Sequence, residues 1–196
     1  MTRDLTVTLA VLGVVGQILL VLFLSLLGLA LLGFRGPLDG LRERVPGYEL
    51  WLAFLVAAVA TAGSLFFSEV ADFPPCKLCW FQRIFMYPLA IVAPLAAVLD
   101  DRRAARYLLP LPVIGIGISV YHVLVERGVV TETASCQISA PGGCAVRWVD
   151  EFGYVTIPTL AGTAFALLIV LLALAVLAPG RIAAAVAQPG PSGAAR

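Results

Sequence analysis

Charge is what this sequence has least of: Asp, Glu, Lys and Arg make up 13% of its 196 residues, against 61% hydrophobic. A soluble domain is nearer a quarter charged and half apolar. The shortage falls in long uninterrupted runs, which marks a membrane protein rather than a greasy soluble globule. A net charge near +1 offers nothing to nucleic acid or to a strongly acidic partner. No acidic residue stands in the middle of an apolar run, which argues against an ion transporter. The runs show no alternation of apolar and polar residues, so a membrane-spanning barrel is excluded. No internal repeat is present.

Five runs are long enough to cross roughly 30 Å of hydrocarbon as helices of about 20 residues. They are Leu5 to Phe34, Leu50 to Ser68, about Trp80 to Leu99, Tyr107 to Val125, and about Thr156 to Ala178. In lipid each backbone polar group must be bonded within its own segment, so helices are predicted. The first run is barely basic at its start and too long for the apolar core of a signal peptide, and a retained helix is expected, its spare length taken up by tilt. Arg35, Arg42, Arg44, Arg102, Arg103, Arg106, Arg181 and Arg196 fall on one side of the resulting topology. Arg3, Lys77, Arg127 and Arg147 fall on the other, with Arg83 at the membrane edge. The positive-inside rule makes the first set cytoplasmic. The expectation is a multi-pass cell-membrane protein with its N-terminus outside and C-terminus inside. Residues 1–34 form an extra helix, 35–49 a cytoplasmic loop, 50–178 a four-helix core, and 179–196 a disordered cytoplasmic tail.

The four cysteines then share the outer face. Cys76 and Cys79 form a C-x-x-C between the second and third helices, and Cys136 and Cys144 lie between the fourth and fifth. That compartment is where disulfides persist. Three pairings are possible and spacing alone does not choose among them. The spacings do not suit structural zinc, and no metal is expected. Pro74-Pro75 precedes the C-x-x-C, which places Cys79 at a helix N-terminus with Arg83 one turn on; both favour a thiolate. Pro141-Gly142-Gly143 separates the second pair, predicting a mobile loop open to a visiting thiol. After Cys144, the residues Trp148, Val149 and Phe152 share a helical face and suit either a short interfacial helix or an ordinary aromatic loop. His122, the only histidine, sits near the outer end of the fourth helix, where it can bond a carbonyl or carry a proton.

The stretch from Cys76 through Cys79, Trp80 and Arg83 to Tyr87-Pro88 resembles the DsbB family of disulfide-forming membrane proteins, particularly its BdbC-like branch. Gly115 to His122, and Cys144-x-x-x-Trp148-x-x-x-Phe152-Gly153 leading to Thr156-Ile-Pro158, are also similar. The resemblance covers about residues 50 to 178 and leaves the first helix unexplained. It implies a membrane thiol:quinone oxidoreductase built as a four-helix bundle, with ubiquinone or menaquinone at its outer rim. Cys79 would face the quinone, with Cys76 as its disulfide partner, and Trp80, Arg83 and His122 would bind the quinone. Cys136 would be attacked by a DsbA-like thioredoxin-fold partner, and Cys144 would hand electrons to Cys76. In the vitamin K epoxide reductase-like family the C-x-x-C follows the loop cysteines, and here it precedes them. The other class of function is a non-enzymatic membrane protein with two structural disulfides. Thiol trapping with and without quinone separates the two, because static staples keep one redox state in both conditions.

Overall fold

The computed structural model describes residues 2–33 and 48–177. The cytoplasmic loop expected at 35–49 lies, up to residue 47, outside the described residues, and so does the expected tail at 179–196. The described residues form α1 (Thr2–Leu31), α2 (Glu49–Leu65), α3 (Lys77–Val98), α4 (Ala104–Leu108), α5 (Pro110–Glu126), α6 (Ala134–Gln137) and α7 (Ile157–Leu177). A π-helical turn, Phe66–Val70, prolongs α2. Among the described residues, five spans are long and apolar enough to cross a membrane: Thr2–Leu31, Glu49–Val70, Lys77–Val98, Ala104–Glu126 and Ile157–Leu177. The architecture is all-helical, as expected. At 30 residues, α1 extends about 45 Å and exceeds the hydrocarbon thickness.

The third span starts three residues earlier than the sequence suggested. Pro74 and Pro75 hold the chain extended, and Cys76 becomes the N-cap of α3 with its Sγ accepting from the Cys79 N–H at 3.3 Å. Pro88 and Pro94 lie inside α3; each removes a backbone donor that membrane helices tolerate when neighbours pack closely.

Helices α2, α3, α5 and α7 close a four-membered ring in which each packs on its two neighbours, and α1 lies outside it on α7. The core is built from small residues of α2 (Ala53, Ala57) against Met86, Leu89 and Ala96 of α3 and Phe165, Leu168 and Leu172 of α7. Small side chains let backbones approach, which is how helices associate when lipid removes the hydrophobic drive. Gln82 of α3 donates to Ser119 of α5 at 3.0 Å, and Ser119 donates to the Gly115 carbonyl at 3.0 Å. This buried polar link fixes the rotation of α3 against α5.

Gly115 is where α5 and α7 meet most tightly. A methyl group there would collide with the Phe165 ring, itself fully buried. Gly115→Ala should therefore cost about 1–3 kcal/mol through overpacking, read as a lower thermal midpoint of the detergent-solubilised protein, and Gly117→Ala, with open space around it, should cost far less.

Candidate redox site

All four cysteines converge at one end of the bundle. Cys76, Cys136 and Cys144 belong to one buried cluster with Leu78 and Val125, and Cys79 packs against it. Cys136 and Cys144 form a disulfide, while Cys76 and Cys79 are free thiols with Sγ atoms 2.9 Å apart. The segment between α5 and α7 reaches the C-x-x-C through α6. The Lys77 N–H donates to Ser139 Oγ at 3.1 Å, and Ser139 Oγ donates to the Cys136 carbonyl at 2.7 Å.

His122 stands between the two pairs. Its Nε2 donates to the Cys144 carbonyl at 3.1 Å and lies 3.6 Å from Cys76 Sγ. The ring is 2% exposed and its Nδ1 is buried with no partner among the described residues. On the other side of Cys144, its N–H donates to Glu132 Oε2 at 2.8 Å. Glu132 in turn packs on Gly143, whose φ of +72° follows that of Gly142 at +82°. Both backbones need the left-handed region that glycine enters without strain.

Two expectations are corrected here. The helix N-terminus falls to Cys76 and not to Cys79, because α3 begins at Lys77. The Cys136–Cys144 pair is not openly accessible either: the two residues are 3% and 1% exposed. Glu132, Ser139 and His122 satisfy the backbone around them, so the Pro-Gly-Gly segment is bound down despite its turn-forming composition. The segment after Cys144 is not an interfacial helix. Glu151 and Val155 exchange two backbone hydrogen bonds across a turn, with Phe152 and Gly153 at positive φ.

A second feature adjoins Cys79. A largely apolar cavity of about 390 Å³ is lined by Cys79, Gln82, Arg83 and Tyr87 of α3, by Ser64 and Phe67 near the end of α2, and by residues of α1 and α7. Arg83 is 8% exposed and does not snorkel to water. Its Nε donates to Ser64 Oγ and its Nη2 to the Ser64 carbonyl, both at 3.0 Å, and its guanidinium lies over the Trp80 ring at 5.1 Å. Tyr87 also donates to Ser64 Oγ, at 3.3 Å. Phe67, Phe73 and Trp148 stack in sequence at the cysteine-bearing end, with centroid separations of 6.1 and 5.3 Å. Of the residues expected to bind a ligand, Arg83 lines this cavity; Trp80 is 53% exposed and backs Arg83 from outside, and His122 serves the thiols. Sequence reasoning missed Ser64, Glu132, Phe67 and Phe73. Ser64 alone carried a signal, as a polar residue within an apolar span.

Cys76 lies just outside the membrane-spanning part of α3, and its thiol is pulled down from 9.0 to about 4. The hydrogen bond from the Cys79 thiol is the largest cause; burial opposes it, and His122 assists by hydrogen bond and by charge. A group whose native pKa is lowered stabilises the fold above its unfolded pKa and loses that contribution as pH falls towards the native value. The reduced protein should therefore keep its ultraviolet thiolate absorbance until pH nears about 4, and lose stability across the same descent. His122→Phe should move the absorbance midpoint upward; a wild-type midpoint in the ordinary thiol range would contradict the geometry.

The comparisons with known proteins bear on the same segment. The family model described as "Disulfide bond formation protein DsbB" matches residues 48–177. A "Probable disulfide formation protein" of Deinococcus radiodurans is 44% identical over 131 residues, 63% of this chain and 86% of that protein. "Disulfide bond formation protein C" of Bacillus subtilis is 40% identical over 126 residues, 64% of this chain and 90% of its own length. A "Probable disulfide formation protein" of Oceanobacillus iheyensis is 41% identical over 122 residues, 62% and 84% of the two chains. No solved structure matches. With the bundle and its four cysteines inside the matched residues, this multi-pass membrane protein belongs to the DsbB family of disulfide bond formation proteins.

Proposed function

We propose that this protein is a membrane thiol:quinone oxidoreductase that reoxidises a thioredoxin-fold partner of the DsbA type on the outer face. The observation that carries the reading is a spatial order: the Cys136–Cys144 disulfide, then His122, then Cys76, then Cys79, then an apolar cavity with a buried arginine. In the relay, a thiolate of the partner attacks Cys136, releasing Cys144, and the partner's second thiol resolves the mixed disulfide. Two electrons and two protons now sit on Cys136 and Cys144. A second exchange passes them to an oxidised Cys76–Cys79 pair, re-forming Cys136–Cys144. The Cys76–Cys79 dithiol then closes to a disulfide as the quinone substrate takes up both electrons and protons to become the hydroquinone. The pattern of one disulfide and one reduced pair corresponds to the stage before that last step.

Each residue's part follows from its surroundings. Cys76, whose thiolate is stabilised by the Cys79 thiol, the helix N-terminus and His122, suits exchange with the second pair as the leaving group. Cys144 attacks Cys76 of the oxidised pair, and Cys136 then attacks Cys144 and releases Cys76, because a low-pKa thiol leaves faster. Cys79 borders the cavity and suits delivery to the acceptor. Arg83 offers a fixed positive charge for oxygen that gains electron density on reduction. A volume of about 390 Å³ falls within the roughly 300–1,000 Å³ of small-molecule sites, which supports an occupant of quinone size. The orientation rests on charge: Arg102, Arg103 and Arg106 lie at the end of the bundle opposite the cysteines, and the sequence adds Arg35, Arg42 and Arg44 to the connection at that end. That end is then cytoplasmic.

The test is reduction of a soluble quinone by purified protein and a reduced thioredoxin-fold dithiol, followed by absorbance. Cys79→Ser should abolish quinone reduction while a mixed disulfide at Cys136 still forms. Arg83→Ala should raise the quinone KM by about tenfold or more, the size expected from losing one charged contact. Full quinone turnover by Cys79→Ser would assign the electron-donating sulfur elsewhere.

A further inference from the structure

The family match begins at residue 48, so α1 is an element that the match does not account for. It is not a loose appendage. Gly13 of α1 meets Leu160 of α7, Gly16 meets Thr163 and Leu167, and Leu9 packs on Gly63 of α2. Gln17, polar in the middle of an apolar helix, donates to Thr163 Oγ1 at 3.2 Å and accepts from the Tyr154 hydroxyl at 3.0 Å. A polar side chain at such a depth has to be satisfied by a neighbour, and both of its partners belong to α7 or the turn just before it. Gln17 latches α1 to the bundle at one height and one rotation.

What the latched helix presents is a wall. Leu9, Leu12, Gly13, Gly16 and Leu19 recur with helical spacing on one face, and all five line the cavity that Cys79 and Arg83 also line. Leu55 and Val59 of α2 and Leu160 and Leu167 of α7 line it as well. Close packing of α1 is concentrated on α7, while its contact with α2 is slight, so the space between α1 and α2 stays open over an α7 floor. The polar lining residues Ser64, Gln82 and Tyr87 accompany Cys79 and Arg83, and the residues that α1 contributes are all apolar, the one polar group beside them being Thr163, whose hydroxyl is taken up by Gln17. An occupant that meets both sets has a polar, reducible ring and an aliphatic chain.

We propose that α1, which lies outside the family match, is a ligand-binding wall that covers the groove between α2 and α7 and holds the isoprenoid tail of a quinone whose ring lies beside Cys79 and Arg83. The inference rests on the quinone reading above and adds to it the part of the substrate recognised and the element that recognises it. Gln17 is a positioning residue, and Leu12 is a contact residue for the tail.

The experiment uses the full chain and two probes, a para-quinone without a tail and the same ring bearing a decyl chain. The readout is the ratio of their KM values. The wild type should favour the decyl quinone, and Leu12→Trp should shrink that preference about tenfold, the effect of losing contact with about two methylene groups. Gln17→Leu, which unlatches the wall without altering its lining, should shift the ratio in the same direction. A decyl quinone carrying a diazirine at its tail end should photolabel Thr2–Leu31. An unchanged ratio in both variants, or Gln17→Leu lowering only the thermal midpoint, would make α1 a structural element and overturn the proposal. So would quinone reduction with no label on α1. If the wild type reduces neither quinone, the reading of the protein as a quinone reductase fails first, and that outcome is told apart by the absence of any turnover.

Discussion

Cys76 caps α3 with a sulfur where most helices use an oxygen, and the redox end of the bundle is organised around that choice. As N-cap, Cys76 takes the Cys79 N–H, which folds the first turn of α3 so that the two sulfurs face each other at 2.9 Å. The same placement points Cys76 away from the lipid-facing side and towards His122, 3.6 Å away. Pro74 and Pro75 make the cap possible by preventing the helix from starting earlier. Had α3 begun at Trp80, Cys76 would lie in an extended lead-in and the pair would have no common geometry. A local rule of helix initiation thus sets the distance over which thiol and disulfide can exchange.

Burial of the second disulfide places a condition on any exchange with a protein partner. Cys136 and Cys144 are 3% and 1% exposed, which leaves an incoming thiolate no open line to the S–S bond, so for such an exchange the loop carrying α6 has to open locally. Its restraints are few and identifiable: Glu132 on the Cys144 N–H, Ser139 between α3 and Cys136, and His122 on the Cys144 carbonyl. A neutral hydrogen bond of this kind contributes on the order of 1 kcal/mol, and one to the Glu132 carboxylate about 1.5–3, and opening must also uncover the apolar cluster around Cys136 and Cys144.

The sequence made the helices legible because lipid leaves so few alternatives: a run of apolar residues of sufficient length has to be a helix, whatever its neighbours do. The C-x-x-C and Arg83 were legible as well, since their spacing is local. What resisted reading depended on contacts between distant segments. Glu132 looks like any loop carboxylate until Cys144 folds onto it, and Ser64 looks like a tolerated small residue until Arg83 crosses from α3. The Pro-Gly-Gly segment misled for the same reason, because turn composition reports backbone conformation and not accessibility. His122 was visible as the sole histidine, but its position between the two cysteine pairs required the packing of α5 against the loop.

Arg83 makes the last link between fold and chemistry. A cation costs about 2.5–3.5 kcal/mol at the centre of a membrane helix even by the lower scales, and less towards its ends. The partners that receive this one are a hydroxyl, a carbonyl and the face of an indole, dipoles and a quadrupole without a full negative charge. Such an arrangement solvates the guanidinium, and among the described residues no carboxylate is paired with it. A site of this kind favours whatever reaction state brings an anion next to it, by an amount the low dielectric magnifies. On the quinone reading, that anion is either a thiolate at Cys79 or oxygen on the ring being reduced, and each arises at the step where electrons leave the protein. The cost of an unpaired charge in the resting bundle then lowers the barrier of the reaction, and the π-helical turn that follows Ser64, where π-turns often mark functional positions, lies beside the carbonyl that holds it.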